Sequence, residues 1–132
     1  MYMHSWLNKI VSDNKPHCLQ KGFCAEEIIA DAANRAGMKY YQAKAGSIAD
    51  VEDKVDMVIL YEGTLFFIQV KMGNGLNESY PKPRKEVIDE IDKLGLKHHE
   101  CVIHVFGSMD GDVDPAELCN AINSTEAVVF AS

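Results

Sequence analysis

Three polar side chains stand near the ends of a stretch that is otherwise mostly apolar and runs from Val55 to Lys71. Asp56 is near its start, and Gln69 and Lys71 are at its end. Lone buried charges are costly, so this acid and this lysine need each other or a ligand. One interpretation is a structural Asp–Lys pair where the strands reach solvent. The other is a divalent metal bound by Asp56 and carbonyl-type oxygens, with Lys71 positioning a phosphate or a water.

The stretch predicts two strands, residues 55–61 and 65–71, joined by a tight Glu-Gly turn. Side chains alternate between the faces of a strand, so Gln69 and Lys71 share one face. A two-residue turn puts Asp56 directly opposite Gln69, and Lys71 one diagonal step away. The three side chains are therefore expected to converge at one end of the strand pair.

Further elements are needed to position this pair. Apolar periodicity and stop signals predict helices over residues 5–12, 23–36, 84–94 and 115–122. Strands are predicted over residues 38–44, 101–106 and 126–130. This order indicates a single α/β domain in which helices flank both faces of a mixed sheet.

Composition restricts the class of protein. The 132 residues, of which 47% are hydrophobic, are typical of one globular domain. No apolar run reaches the roughly 18 residues that span a bilayer, and the start lacks a signal peptide, so we expect a cytoplasmic protein without a membrane partner. The net charge of −7 is acidic, whereas domains that bind nucleic acids are usually basic. A local basic patch can still bind DNA on an acidic protein.

The acid at the start of one strand and the Gln-Val-Lys at the end of the next resemble the D…[D/E/Q]xK pattern of the PD-(D/E)XK nuclease superfamily. The segment KGFCAEEIIADAANRAGMKYYQAKAGS resembles the opening of archaeal Holliday-junction resolvases, in which Lys-Gly precedes a helix with an acidic metal ligand. The resemblance covers roughly residues 20–106. It implies a restriction-endonuclease-like α-β-β-β-α-β core within one domain of residues 1–132, with an N-terminal helix and a C-terminal helix and strand appended.

Two positions depart from the family pattern. Gln69 replaces the usual acid, as in the QxK variant of Mrr-type restriction endonucleases, and Val55 replaces a proline. The family acid of the first helix falls on Glu26, which flanks the apolar stripe, whereas Glu27 is predicted on the solvent side. A neutral amide still binds a metal but adds no charge, so Asp56 and Glu26 alone would neutralise the charge of the metal ion.

The resemblance implies a metal-dependent DNA endonuclease, restriction-like or junction-resolving, that uses Mg²⁺ or Mn²⁺. The ion would be bound by Glu26, Asp56 and either the Gln69 side chain or the Val70 carbonyl, and it would acidify a bound water. Lys71 would stabilise the developing charge or orient that water.

The resemblance also implies a DNA-facing surface around this motif. Its expected residues are Lys44, Ser47, Tyr80, Lys82, Arg84 and Lys85. Each has an ordinary alternative as a solvated loop or helix-start residue. A homodimer is expected, because duplex or branched DNA needs two cuts and one short domain offers one site.

Two other interpretations stay open. One is a catalytically inactive nuclease-fold module that binds nucleic acid or a protein partner, which the net charge and Gln69 favour. The other is an unrelated α/β domain with a chance motif. The sequence contains no CxxC pair, so the cysteines are predicted to be buried reduced thiols and not metal ligands. His104 is predicted to be a hydrogen-bonded strand residue, and His98 and His99 to lie solvated in a helix-to-strand connection.

Overall fold

A computed structural model describes residues 21–42, 55–73, 81–108 and 110–132. These residues form an α/β fold with a five-stranded mixed sheet and three helices. The elements are α1 (Lys21–Arg35), β1 (Lys39–Gln42), β2 (Met57–Tyr61), β3 (Thr64–Met72), α2 (Lys85–Lys93), β4 (Lys97–Gly107), α3 (Pro115–Ala121) and β5 (Glu126–Ala131). The predicted helix over residues 5–12 lies outside the described residues.

The strands lie in the sheet in chain order, from β1 to β5. Both neighbour pairs among β1, β2 and β3 are antiparallel, whereas β4 is parallel to β3 and β5 is parallel to β4. Parallel neighbours need a crossover connection, and α2 and α3 lie in these two connections. The prediction of a mixed sheet with helices on both faces is confirmed.

The turn between β2 and β3 sets their register. Glu62 and Gly63 both have positive φ angles, 51° and 79°, as a two-residue type I′ hairpin turn requires. Tyr61 pairs with Thr64, and the pairing continues to Met57 opposite Ile68. The predicted turn and register are therefore confirmed along the whole of β2.

Two separate apolar clusters cover the sheet. On the face that we call the α1 face, α1 and α3 pack against buried residues such as Met57, Ile68 and Val105. On the opposite face, the α2 face, Val87 and Ile91 of α2 pack with strand residues of a second cluster. Those strand residues are Val58, Leu65 and Phe67. Alternation along β3 therefore puts its odd-numbered side chains on the α2 face.

Strand β4 is longer than predicted. It begins at Lys97, which pairs with Thr64 at the start of β3, so His98 and His99 are strand residues. Their prediction as part of a connection was wrong. The reason is that the first residues of β4 are polar and partly exposed, so apolar alternation does not reveal them, whereas β3 supplies backbone partners from its first residue onward. Within the described residues, no helix is both long and apolar enough to cross a membrane.

The thiol of Cys101 is buried in the α1 face, where its Sγ donates to the Ala121 carbonyl at 3.4 Å. The prediction of buried reduced thiols is confirmed for Cys101, which is free and buried, and Cys119 is free and half-buried. Burial, with a smaller contribution from the Glu126 carboxylate, raises the pKa of Cys101 to about 12.

This pKa predicts a loss of stability at alkaline pH. The folded protein holds the Cys101 proton more tightly than the unfolded chain, so the stabilisation is complete below about pH 9 and is lost as the pH rises toward 12. Relative to Cys101→Ala, the wild-type free energy of unfolding should fall by about 1.4 kcal/mol between pH 8 and pH 10. Urea denaturation at both pH values measures this difference. Cys119→Ala is the matched control, and parallel pH profiles of wild type and Cys101→Ala would contradict the assignment.

Candidate active site

One end of the sheet gathers the predicted site residues. We call it the motif end, where β3 ends and β2 begins. The connection over residues 36–38 is short, so α1 runs opposite to β1 and its first half lies toward the motif end. Helix α2 follows β3 and leads to a parallel strand, so it also begins there. The chain order thus directs Glu26, Asp56, Lys71 and the start of α2 to the same end of the sheet.

Asp56 lies in a bend directly before β2 and is anchored to β3. Its backbone N–H donates to the Ile68 carbonyl at 2.8 Å, and its Oδ2 accepts the Val70 N–H at 2.8 Å. The Asp56 carboxylate therefore accepts a hydrogen bond that a backbone carbonyl of the neighbouring strand would otherwise accept. Charge-assisted bonds of this kind are strong and hold the group in one orientation.

The Val70 carbonyl points in the same direction. In an extended strand the N–H and C=O of one residue face the same neighbour, so the Val70 carbonyl faces the chain at Asp56. The Val70 side chain is buried in the opposite direction, in the α1 face. Asp56 Oδ1 and the Val70 carbonyl are thus the kind of oxygen donors that a hard divalent cation prefers.

Gln69 is a buried polar residue, with 6% of its surface exposed. It follows Phe67 by two positions and so lies on the α2 face. Its Oε1 is buried and finds no hydrogen-bond donor in the part of the chain that the structure describes. A buried amide oxygen without a donor is unfavourable by about 1–3 kcal/mol. A bound cation would remove this penalty, so Gln69 fits a metal site at the motif end.

Lys71 is half-buried on the same face as Gln69. It pairs in register with His104 of β4, so the two side chains are neighbours across the sheet. Among the described residues Lys71 forms no ion pair, and the Asp56 carboxylate accepts a backbone N–H instead. Lys71 is therefore the last residue of a row on this face in which Leu65 and Phe67 are apolar and Gln69 is polar.

Of the two acids of α1, Glu27 is positioned differently from the prediction. Helix α1 packs on the α1 face, so it is separated by the sheet from the side chains of Gln69 and Lys71. Glu26 is half-buried and lies in the half of α1 nearest the motif end. Glu27, predicted on the solvent side, is also half-buried, and its Oε1 has no hydrogen-bond donor among the described residues. Either acid would reach Asp56 and the Val70 carbonyl only around the end of the sheet.

The predicted DNA-facing residues divide into two groups. Lys44, Ser47 and Tyr80 lie outside the described residues. Lys82 and Lys85 are exposed and Arg84 is half-buried, all at the start of α2. Positive side chains destabilise a helix N-terminus because they repel the positive end of its dipole. The dipole of α2 therefore does not favour this cluster.

The donor set at the motif end is suited to a weakly held ion. Asp56 Oδ1, Gln69 Oε1 and the Val70 carbonyl are oxygen donors, and Glu26 or Glu27 would add a second charge. In the described ranges, no three side chains of His, Cys, Asp and Glu come together as a metal-binding group. Magnesium usually keeps several waters and uses one or two carboxylates, so this set resembles a magnesium site more than a zinc site.

The sequence did not reveal that His104 and Glu126 form a polar pair beside Lys71. His104 is buried, and its Nδ1 lies 3.2 Å from the Gly73 carbonyl. Its Nε2 lies 2.6 Å from Oε2 of Glu126, at the start of β5. The prediction of a hydrogen-bonded strand histidine is confirmed. Glu126 gave no local signal, because its partner becomes its neighbour only through the crossover that contains α3.

Comparisons with known proteins assign no family. The chain matches no protein-family model, and neither curated proteins nor solved structures give a significant match. The interpretation of the motif end therefore depends on its geometry and on the sequence pattern.

Proposed function

We propose that the protein is a metal-dependent DNA endonuclease that hydrolyses phosphodiester bonds at the motif end. The observation that carries the proposal is the buried Gln69 Oε1, which has no donor among the described residues and belongs to the same face of β3 as Lys71. An anchored carboxylate, an amide oxygen in need of a positive partner and a lysine form the minimal set for this chemistry.

The order of elements supports the proposal. From α1 to β4 the chain follows the order α-β-β-β-α-β, which is the core that the nuclease resemblance implies. Asp56 directly precedes the second strand, and Gln69 and Lys71 are among the last residues of the third strand. A restriction-endonuclease-like core would have its acid and its [D/E/Q]xK residues at these positions.

In the proposed reaction each residue has a separate task. Asp56 and Gln69, with the Val70 carbonyl and an acid of α1, would hold Mg²⁺ or Mn²⁺. When bound, such an ion acidifies a water and polarises the phosphodiester. Lys71 stabilises negative charge on the phosphate as the water attacks. The basic cluster at the start of α2 binds neighbouring phosphates and so orients the strand.

The test is an assay of the purified protein on linear duplex, branched and single-stranded DNA. We expect cleavage with Mg²⁺ or Mn²⁺ that EDTA abolishes and that differs between the three substrates. A metal-independent activity, or no activity with either ion, would contradict the proposal. Sedimentation of the same sample tests the homodimer that paired cuts require.

A second candidate is a nuclease-fold module that binds nucleic acid or a protein partner without cleaving. The net charge of −7 and the neutral Gln69 in the place of an acid favour it. Salt-sensitive DNA binding without cleavage, weakened by a triple substitution of Lys82, Arg84 and Lys85, would support this candidate over the first.

A further inference from the structure

We propose that His104, held by Glu126, is a positioning residue of this site that fixes the main chain where β3 ends. The inference rests on the proposed function. It follows from a chain of hydrogen bonds that joins three strands. The His104 ring, on β4, reaches the Gly73 carbonyl after β3 and the Glu126 carboxylate on β5, at 3.2 Å and 2.6 Å.

The location of His104 indicates that it positions the main chain and does not contact the substrate. In the parallel register it is the direct partner of Lys71, and neighbouring strands are about 4.8 Å apart. Its surface is only 8% exposed, so a DNA phosphate does not reach the ring. Both ring nitrogens already have partners within the protein. His104 therefore acts on the site through the main chain.

The bond at Gly73 is the one that matters for Lys71. Gly73 follows Lys71 by two positions, and its φ of 68° turns the chain out of the sheet. Its N–H donates to the Val105 carbonyl at 2.7 Å, and its carbonyl accepts from His104. Loss of the second bond would remove one of the two hydrogen bonds that join Gly73 to β4 among the described residues. Lys71, two positions before Gly73, would then be oriented less firmly.

The chemistry of the two partners makes the inference testable. A carbonyl and a carboxylate both accept hydrogen bonds, so each of these two contacts calls for an N–H donor on the ring. Glu126 holds the ring in the plane that reaches Gly73. An asparagine amide reproduces a donor near Nδ1, and a glutamine amide reproduces a donor near Nε2. His104→Asn thus keeps the Gly73 bond, whereas His104→Gln keeps the Glu126 bond.

The experiment compares steady-state cleavage by wild type, His104→Asn and His104→Gln, with melting temperatures measured in parallel. We expect His104→Gln to lower kcat by about tenfold or more with KM unchanged, the scale seen for supporting residues around metal sites. The His104→Asn variant should retain most of the wild-type kcat. Glu126→Ala, at a position whose side chain is 45% exposed, should lower kcat by less than His104→Gln does, because the ring can still donate to Gly73. His98→Gln is the matched control, since His98 pairs with Glu100 at the far end of β4.

The outcomes separate this inference from the proposed function. An active wild type with equal kcat in His104→Gln would overturn the inference alone. Equal losses in His104→Asn and His104→Gln that follow their melting temperatures would overturn it as well, because they would show a purely structural residue. A wild type that does not cleave DNA would overturn the proposed function and, with it, this inference.

Discussion

Replacement of Lys71 by methionine is expected to lower metal-dependent DNA cleavage by about 10²–10³-fold, the loss seen when one donor to a developing negative charge is removed. Methionine keeps an unbranched apolar stem in the half-buried position and removes only the ammonium group. The fold and the affinity for DNA should therefore change little. Single-turnover cleavage with excess enzyme measures the chemical step directly, and fluorescence anisotropy measures DNA binding.

Lys97→Met provides the control for this substitution. Lys97 is an exposed lysine at the start of β4, at the opposite end of the same sheet from the motif end. The Lys97→Met variant should therefore cleave DNA at the wild-type rate. Equal activities of the two variants would exclude a role for Lys71 in the reaction. Equal losses in both would indicate that positive charge on the protein, rather than the site, governs the rate.

The second large effect is expected at Asp56, where two substitutions separate two roles. Asp56→Asn keeps an oxygen that accepts the Val70 N–H, so it should fold normally. It removes the negative charge, so Mg²⁺ or Mn²⁺ affinity should fall by about 10–100-fold, and cleavage should fall with it. Asp56→Ala also loses the hydrogen bond to β3, which should lower the free energy of unfolding by about 1.5–3 kcal/mol.

Calorimetric titration with Mn²⁺ and urea denaturation measure these two effects separately. Asp89→Asn, on an exposed position of α2, is the control for the loss of one negative charge. An Asp56→Asn variant with unchanged metal affinity would show that Asp56 only anchors the bend before β2. The interpretation as a structural residue would then replace the metal site.

Local signals in the sequence predicted the parts of this fold that neighbouring residues decide. The Glu62-Gly63 turn fixed the register of β2 against β3, because both turn positions require left-handed backbone and the strands on either side alternate regularly. Helices α1 and α2 were recognisable from their apolar stripes and terminal glycines. The pairing of Asp56 was less predictable, because a bend before Met57 lets its carboxylate bind the backbone of β3.

Contacts between distant segments were not predictable in the same way. An apolar stripe shows that a helix covers a sheet, but it does not show which face the helix covers. For this reason Glu26 was expected beside Gln69, although α1 packs on the opposite face. Glu126 meets His104 only because β5 lies parallel to β4, a pairing that no local pattern encodes. The polar start of β4 likewise depends on partners that β3 provides.

Strand β5 also has a consequence for solubility. It pairs with β4, which extends over 11 residues and carries a run of buried apolar side chains. Without β5, that strand would become a long sheet edge with unpaired backbone groups, and such edges recruit other chains into aggregates. A fragment cut down to the core that the nuclease resemblance covers would expose this edge. The C-terminal strand, with six residues, thus replaces an 11-residue sheet edge by a shorter one.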